Sequence, residues 1–172
     1  MESKTILITG ATSGIGKATA KALAQQGHTV IIHGRNKTKT EKVWEEIKSE
    51  TGNIKIDRVL ADLFLLSDVK RMADEFKEKY DRLDVLINNA GNMMNKERET
   101  TKEGLEKTIA LNLLSAFLLT QLLLNVLAKS PSARIINVAS GCINGEVNQI
   151  LRIFSWKTAI AVRELMGYPN SI

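Results

Sequence analysis

The chain reads as an α/β protein, a doubly wound parallel sheet with helices on both faces, and three observations carry that expectation. Short β-branched runs alternate strictly with segments of helical period, which requires crossovers between parallel strands. The runs are nearly continuous Val, Ile and Leu, as in strands buried on both faces. The first run passes through a glycine turn straight into a helical pattern. Strands are expected at about 4–9, 29–33, 55–60, 84–88 and 134–139, and helices at about 14–26, 38–50, 67–80 and 102–129. Of the two prolines, Pro131 falls in the turn after the longest helix, where a helix must stop.

A length of 172 residues suits one domain with a real core, and 44% hydrophobic with 25% charged residues is the balance of a water-soluble globular chain. The net charge of +5 raises the question of nucleic acid. No basic cluster with interleaved aromatics is present; Lys37, Lys39 and Lys42 are spread among Thr and Glu on a solvated helix face, so no nucleic-acid partner is expected. A single cysteine, Cys142, excludes an internal disulfide and a cysteine zinc cluster, which fits the reducing cytoplasm, and no metal site is expected. Glu2, Ser3 and Lys4 lead directly into the first strand without a cleavable signal. The apolar stretch 111–127 is interrupted by Asn112, Ser115, Thr120, Gln121 and Asn125, and falls short of the roughly 20 residues of a span, so it is expected as a buried helix.

The stretch Thr5-Ile6-Leu7-Ile8-Thr9-Gly10-Ala11-Thr12-Ser13-Gly14-Ile15-Gly16 has the strand before and the helix after that a phosphate site requires. Gly10 allows a tight turn, Gly14 lets a pyrophosphate approach the backbone, and Gly16 lets the helix pack closely. Unpaired N–H groups and the positive dipole end then face the anion. The plain alternative is an ordinary strand–turn–helix. At the end of the second strand, where a carboxylate would bond an adenine-ribose hydroxyl, the chain has His33-Gly34-Arg35-Asn36-Lys37. With no acid and two cations, this end favours NADP over NAD: Arg35 is the discriminating residue, because its planar donor fork matches a phosphate, and Lys37 its support. The alternative is a solvated loop cation.

With these motifs in order, the chain resembles the short-chain dehydrogenase/reductase family over roughly residues 4–147. The family's glycine motif is Thr9-Gly-x-x-x-Gly14-Ile-Gly16; its adenine-contacting acid falls on Asp62 in Ala61-Asp62-Leu63; its Asn-Asn-Ala-Gly stretch is Asn88-Asn89-Ala90-Gly91. Its central-helix asparagine falls on Asn112 and its catalytic serine on Ser140. The resemblance implies a Rossmann-type sheet, a nicotinamide cofactor held by Gly10, Ser13, Gly14, Ile15, Gly16, Arg35, Asn36, Asp62, Leu63, Asn89, Ala90 and Gly91, and a catalytic pair of Ser140 and Asn112. Ser140 would hydrogen-bond the reacting oxygen, and Asn112 would hold a water in a proton relay. Asp62 alone also suits a turn cap, and Asn112 alone a back-bond within its helix. The expected activity is NADP-dependent hydride transfer on a small-molecule alcohol or carbonyl, retinoid, steroid or otherwise lipophilic, with a homo-oligomer implied only for a full-length chain.

The pattern breaks after Ser140. The family places a Tyr four residues before a Lys there, and neither occurs in that form: Tyr168 has Ile172 four places on, and Phe154-Ser155-Trp156-Lys157 offers no phenol. The family's remaining helix and last strands are also missing from this sequence. Up to Gly145-Glu146-Val147-Asn148 the chain resembles the retinol-dehydrogenase-like branch. Residues 150–171, back-translated with permissible codons and read one base earlier, yield a Tyr-x-x-x-Lys. The expectation is therefore a dinucleotide-binding domain at 1–148 and an aberrant, frameshifted tail at 149–172. A divergent amphipathic helix with Trp156, Ile160, Val162 and Leu165 on its apolar face is the alternative. Without the Tyr and Lys, a non-catalytic dinucleotide-binding fragment or pseudoenzyme stands as the alternative function.

Overall fold

The computed structural model describes residues 2–92 and 97–139, together with the backbone of three short strands at 142–143, 146–147 and 152–154. Ser140, the Tyr168 region and the rest of the expected tail lie outside the described residues. The elements run β1 (Thr5–Ile8), α1 (Gly14–Gln25), β2 (Thr29–Gly34), α2 (Lys37–Thr51), β3 (Ile56–Leu60), α3 (Leu66–Lys79) and β4 (Val85–Asn88). After β4 come α4 (Lys107–Ile109), a π-helical turn at Ala110–Leu114, α5 (Ser115–Ala128) and β5 (Arg134–Asn137), followed by β6 (Cys142–Ile143), β7 (Glu146–Val147) and β8 (Arg152–Phe154).

The main sheet has the order β3-β2-β1-β4-β5-β8, with β1 parallel to both β2 and β4. The chain thus winds outward from β1 in one direction and, from β4 on, in the other. The two halves part at the carboxyl ends of β1 and β4, the crevice where open α/β sheets bind ligands. Side chains on β1 alternate between the two faces: Ile6 and Ile8 pack with Ala20, Ala24, Val43 and Ile47 of α1 and α2. Leu7 points the other way, into a cluster with Val69, Met72 and Phe76 of α3 and Leu119, Leu123 and Leu127 of α5. Both faces are therefore covered by apolar helix stripes, which is what the unbroken strand runs anticipated.

Two elements depart from the sequence expectation. The sheet is not wholly parallel, because β8 pairs antiparallel with β5, Ile136 opposite Ile153. No crossover helix is described between them, and a parallel return needs one. The long helix starts at Lys107 rather than near 102. Thr101 instead closes a turn, its hydroxyl accepting from the Glu103 and Leu105 amides, and Glu106 caps the helix by accepting from Thr108 and Ile109 N–H.

The run Lys107–Ala128, 22 residues with a mean hydropathy of 1.9 over an 18-residue stretch, is long and apolar enough to cross a membrane by length and composition alone. In this fold its buried side chains pack on α3 and the sheet. Ile109, Leu113 and Phe117, spaced by one turn each, remain exposed along one stripe.

Candidate functional site

The site begins with a brace across the carboxyl ends of β1 and β4. The Thr9 hydroxyl accepts from the Asn89 and Ala90 amides, both at 3.0 Å. The Asn89 side-chain amide returns the tie, donating to the carbonyls of Thr9 (2.9 Å) and Gly10 (3.2 Å). These contacts satisfy backbone groups where the two strands diverge and the ladder ends.

On this brace the glycine turn is built. Gly10 has φ +64°, and a β-carbon there would stand 2.8 Å from the Ala90 Cα, so both conformation and space demand glycine. Gly14 has φ +53° and would meet nothing within 4 Å, so it faces open space. A β-carbon on Gly16 would stand 2.5 Å from the Asn89 side-chain nitrogen and from the Gly10 carbonyl oxygen, which fixes how near α1 lies to the turn. Ser13 begins α1 in an extended conformation without capping it through its side chain, and the first turn carries no acid. The amino end of α1 thus opens on the cleft with its dipole uncompensated, as an anion site requires.

A residue that sequence reasoning left without a role underpins this turn. His33, 3% exposed at the end of β2, accepts the Gly10 N–H at Nδ1 (3.1 Å) and lies 3.1 Å from the Ala61 carbonyl through Nε2. Because Gly10 can only donate, the ring proton sits on Nε2 and is given to Ala61. Burial pushes the imidazole down to about 4 from its ordinary 6.5, so it is neutral near neutral pH and clamps the turn to the end of β3. Its signal in the sequence was a polar ring within the run Val30-Ile31-Ile32-His33.

The resulting cleft, about 690 Å³, is lined by Gly10, Ser13, Gly14, Ile15, Gly16, Arg35, Asp62, Leu63, Asn89, Ala90 and Gly91, which brings together eleven of the expected site residues. Thr12, His33, Gly34, Lys39, Ala61, Phe64, Asn92 and Leu111 complete it. The expectations for Asn36 and Lys37 fare differently. Asn36 turns its side-chain oxygen onto the Lys39 amide (2.9 Å) as the cap of α2, and neither it nor Lys37 lines the cleft. One turn-step further round the helix, Lys39 does.

At this end Asp62 is drawn into local bonds. Its Oδ1 accepts from the Phe64 amide (3.2 Å) and lies 3.9 Å from Arg35 Nη1, while its own N–H donates to Asp68 Oδ2 (2.7 Å). At the opposite end of the cleft, the Asn112 side chain spends both groups on the main chain of Asn92, accepting from its N–H (3.0 Å) and donating to its carbonyl (2.9 Å). The back-bond that Asn112 might have made within its helix is made instead by Ser115, to the Leu111 carbonyl (2.6 Å). Asn88 lies beneath, its amide donating to Asn137 (2.9 Å) and Thr120 (3.2 Å).

A second hollow of about 330 Å³, lined by Asp57, Phe76, Lys79 and Tyr80 among others, lies toward the amino end of β3, away from the glycine turn. Its Tyr–Lys neighbours do not supply the absent pair: both donate to Asp57 Oδ2 at 2.6 Å, and burial together with that carboxylate raises the phenol well above its usual range.

The glycine turn, open helix end and cationic far wall fit a dinucleotide: space for paired phosphates lies at Gly14, and two cations stand where an adenine ribose would end. Comparison with known proteins agrees. The chain is 44% identical over 138 residues to human polyprenol dehydrogenase, an alignment covering 78% of this chain and 42% of the relative. It is 41% identical over 137 residues to human retinol dehydrogenase 13, covering 80% and 41%. The chain therefore spans about two fifths of the length of these relatives. Among solved structures, a short chain dehydrogenase of Escherichia coli CFT073 in complex with NADPH matches with TM-score 0.73 and 29% identity, over 96% of this chain and 68% of that one. One from Sphingobium yanoikuyae, also with NADPH, matches with TM-score 0.68 and 30% identity, over 80% and 53%. The family model described as short chain dehydrogenase matches residues 4–152. A Rossmann-type sheet with this glycine turn and that match leave one assignment: the chain belongs to the short chain dehydrogenase family.

Proposed function

We propose that this chain is an NADP-dependent oxidoreductase that moves a hydride between nicotinamide and a lipophilic alcohol or carbonyl compound. The carrying observation is the pairing of an uncapped α1 amino terminus with Arg35 and Lys39 on the far wall of one cleft. Gly10 shapes the turn, its own N–H being given to His33, while Ser13, Gly14, Ile15 and Gly16 hold the pyrophosphate through backbone N–H groups and the helix dipole. Arg35 and Lys39 take the ribose phosphate, a charge-assisted contact that a plain hydroxyl does not return. Asp62 and Leu63 bound the adenine, and Asn89, Ala90 and Gly91 wall the cleft toward Asn112. When bound, the cofactor supplies the hydride.

Asn112 acts by fixing the Asn92 backbone at the cleft edge rather than by offering its side chain to solvent. Ser140, just beyond β5, is proposed to bond the substrate oxygen. The lipophilic substrate class follows from the names of the relatives, which include a polyprenol and a retinol dehydrogenase. A cytoplasmic setting is proposed from the single cysteine, and fractionation of cells expressing a tagged chain tests it.

One observation favours a second reading, binding without turnover: these 172 residues contain no Tyr four places before a Lys downstream of Ser140. A phenol beside a lysine is the expected general acid of this reaction, and general acid–base catalysis contributes about a hundred- to ten-thousandfold. Fluorescence titration with NADPH tests binding, and NADPH oxidation in the presence of retinal or another lipophilic aldehyde tests turnover. Binding with turnover supports the oxidoreductase, binding alone the second reading, and absence of binding to either nicotinamide coenzyme refutes both.

A further inference from the structure

Phe64 stands where the cleft's cation has to be aimed. Its ring packs against the α3/α5 side of the core while remaining part of the cleft wall. The Arg35 guanidinium lies over that ring, its Cζ 5.5 Å from the centroid. Arg35 is otherwise loosely held: its side chain is 63% exposed, and its charged partner among the described residues, Asp62 Oδ1, is 3.9 Å away. That oxygen also accepts the Phe64 amide, so the same short turn sets both the carboxylate and the ring beneath the guanidinium. An exposed ion pair at this distance contributes little and leaves the cation's charge available. A long arginine free in solvent would have to be ordered by an incoming phosphate; one resting on an aromatic face is ordered beforehand.

We propose that Phe64 is a specificity-determining residue, which selects the dinucleotide carrying a 2′-phosphate by holding Arg35 in position for it. This inference rests on the NADP reading of the cleft. The ring's quadrupole is the operative property, since it attracts a cation that an aliphatic side chain of similar bulk does not. A wall that merely touched the adenine would serve both coenzymes alike.

The experiment measures dissociation constants for NADPH and NADH, by fluorescence, for the full chain and for F64L, F64W, R35A and the double variant R35A/F64L, each checked for a cooperative thermal transition. F64L is expected to weaken NADPH about two- to fivefold and leave NADH unchanged, F64W to retain the wild-type ratio, and F64L to have no further effect on the ratio once Arg35 is gone. An unchanged ratio in F64L, equal weakening of both coenzymes, or the same loss in the R35A background overturns the proposal for Phe64 alone. A wild-type chain that binds both coenzymes equally overturns the NADP reading itself, and the inference with it.

Discussion

His33 offers the sharpest physical test of how the glycine turn is held. In the folded chain its imidazole is pushed down to about 4 by burial, against 6.5 for a free histidine. Between those values the unfolded chain binds a proton that the folded chain does not, so stability is complete above the free value and falls as the pH drops toward the folded one. Integrating the linkage for this one group gives a loss of about 2 kcal/mol between about pH 7 and pH 5, a large share of a small domain's stability. The carboxylates held low in the fold do not confuse this window. Asp68, stabilised first by the Asp62 amide, and Glu103, first by the Ser67 hydroxyl, lose their contributions only as pH falls below their ordinary values of 3.8 and 4.5.

Urea unfolding followed by tryptophan fluorescence, repeated across that range on the ligand-free chain, measures the slope directly. His33→Asn keeps an acceptor for the Gly10 amide but has nothing to titrate. It is expected to be less stable near neutral pH, through loss of the bond to Ala61, and to lose the slope. Parallel wild-type and variant curves between about pH 7 and pH 5 would refute the neutral, buried clamp. So would a nuclear magnetic resonance titration of the ring showing it protonated near its free value.

The other expectations concern the cleft's walls. Arg35→Ala is expected to weaken NADPH about tenfold or more and NADH much less, as loss of a charge-assisted phosphate contact does; equal effects in parallel titrations exclude Arg35 as the discriminator. Gly16→Ala places a methyl against Asn89 and the Gly10 carbonyl and is expected to destabilise the chain by about 1–3 kcal/mol in chemical denaturation, whereas unchanged stability means the α1 contact is looser than described. Gly14→Ala meets no atoms, so its stability loss is the roughly 1–2 kcal/mol of a left-handed alanine, but its methyl enters the phosphate space and weakens both coenzymes together. Asn112→Ala frees the Asn92 main chain, and faster hydrogen exchange at the Asn92 amide is the readout; an unchanged rate removes Asn112 from its positioning role.

The parts of this architecture legible in the sequence are those coded by neighbours in the chain. The strands at 5–8, 29–34, 56–60 and 85–88 and the turn at Gly10–Gly16 follow from β-branched runs and from glycines that a left-handed or crowded backbone requires. What escaped depends on partners distant in sequence or on the angular position of a residue in a helix. Lys37 and Lys39 are equivalent in composition, but only Lys39 comes round to the cleft once Asn36 caps α2. The π turn at Ala110–Leu114 has no compositional mark: Ser115 N–H reaches back to the Ala110 carbonyl within an unremarkable Ala-Leu-Asn-Leu-Leu run. The antiparallel β8 fell in the stretch 149–172, expected as an aberrant tail or an amphipathic helix, and its place is set by pairing along the edge of β5. His33 was passed over because the atoms that give it a purpose belong to Gly10 and Ala61, 23 and 28 residues away.

These distant ties hold in shape a site made of loop ends. Loops that end parallel strands have lost their ladder partners, and a crevice between two of them would ordinarily relax. Here each one is pinned to its neighbour by a side chain. Thr9 and Asn89 join the ends of β1 and β4, His33 joins the turn after β1 to the end of β3, and Asn112 joins the segment after β4 to the long helix. Glu103 extends the series, its carboxylate accepting from the Leu66 and Ser67 amides so that the segment leading into the long helix is fastened to the start of α3 beside Asp62. The anion-binding groups themselves, the α1 amino end and Arg35, are left out of this network. Binding energy from a dinucleotide is then not consumed in ordering the turn, and only the exposed guanidinium remains to be held, which Phe64 does in part.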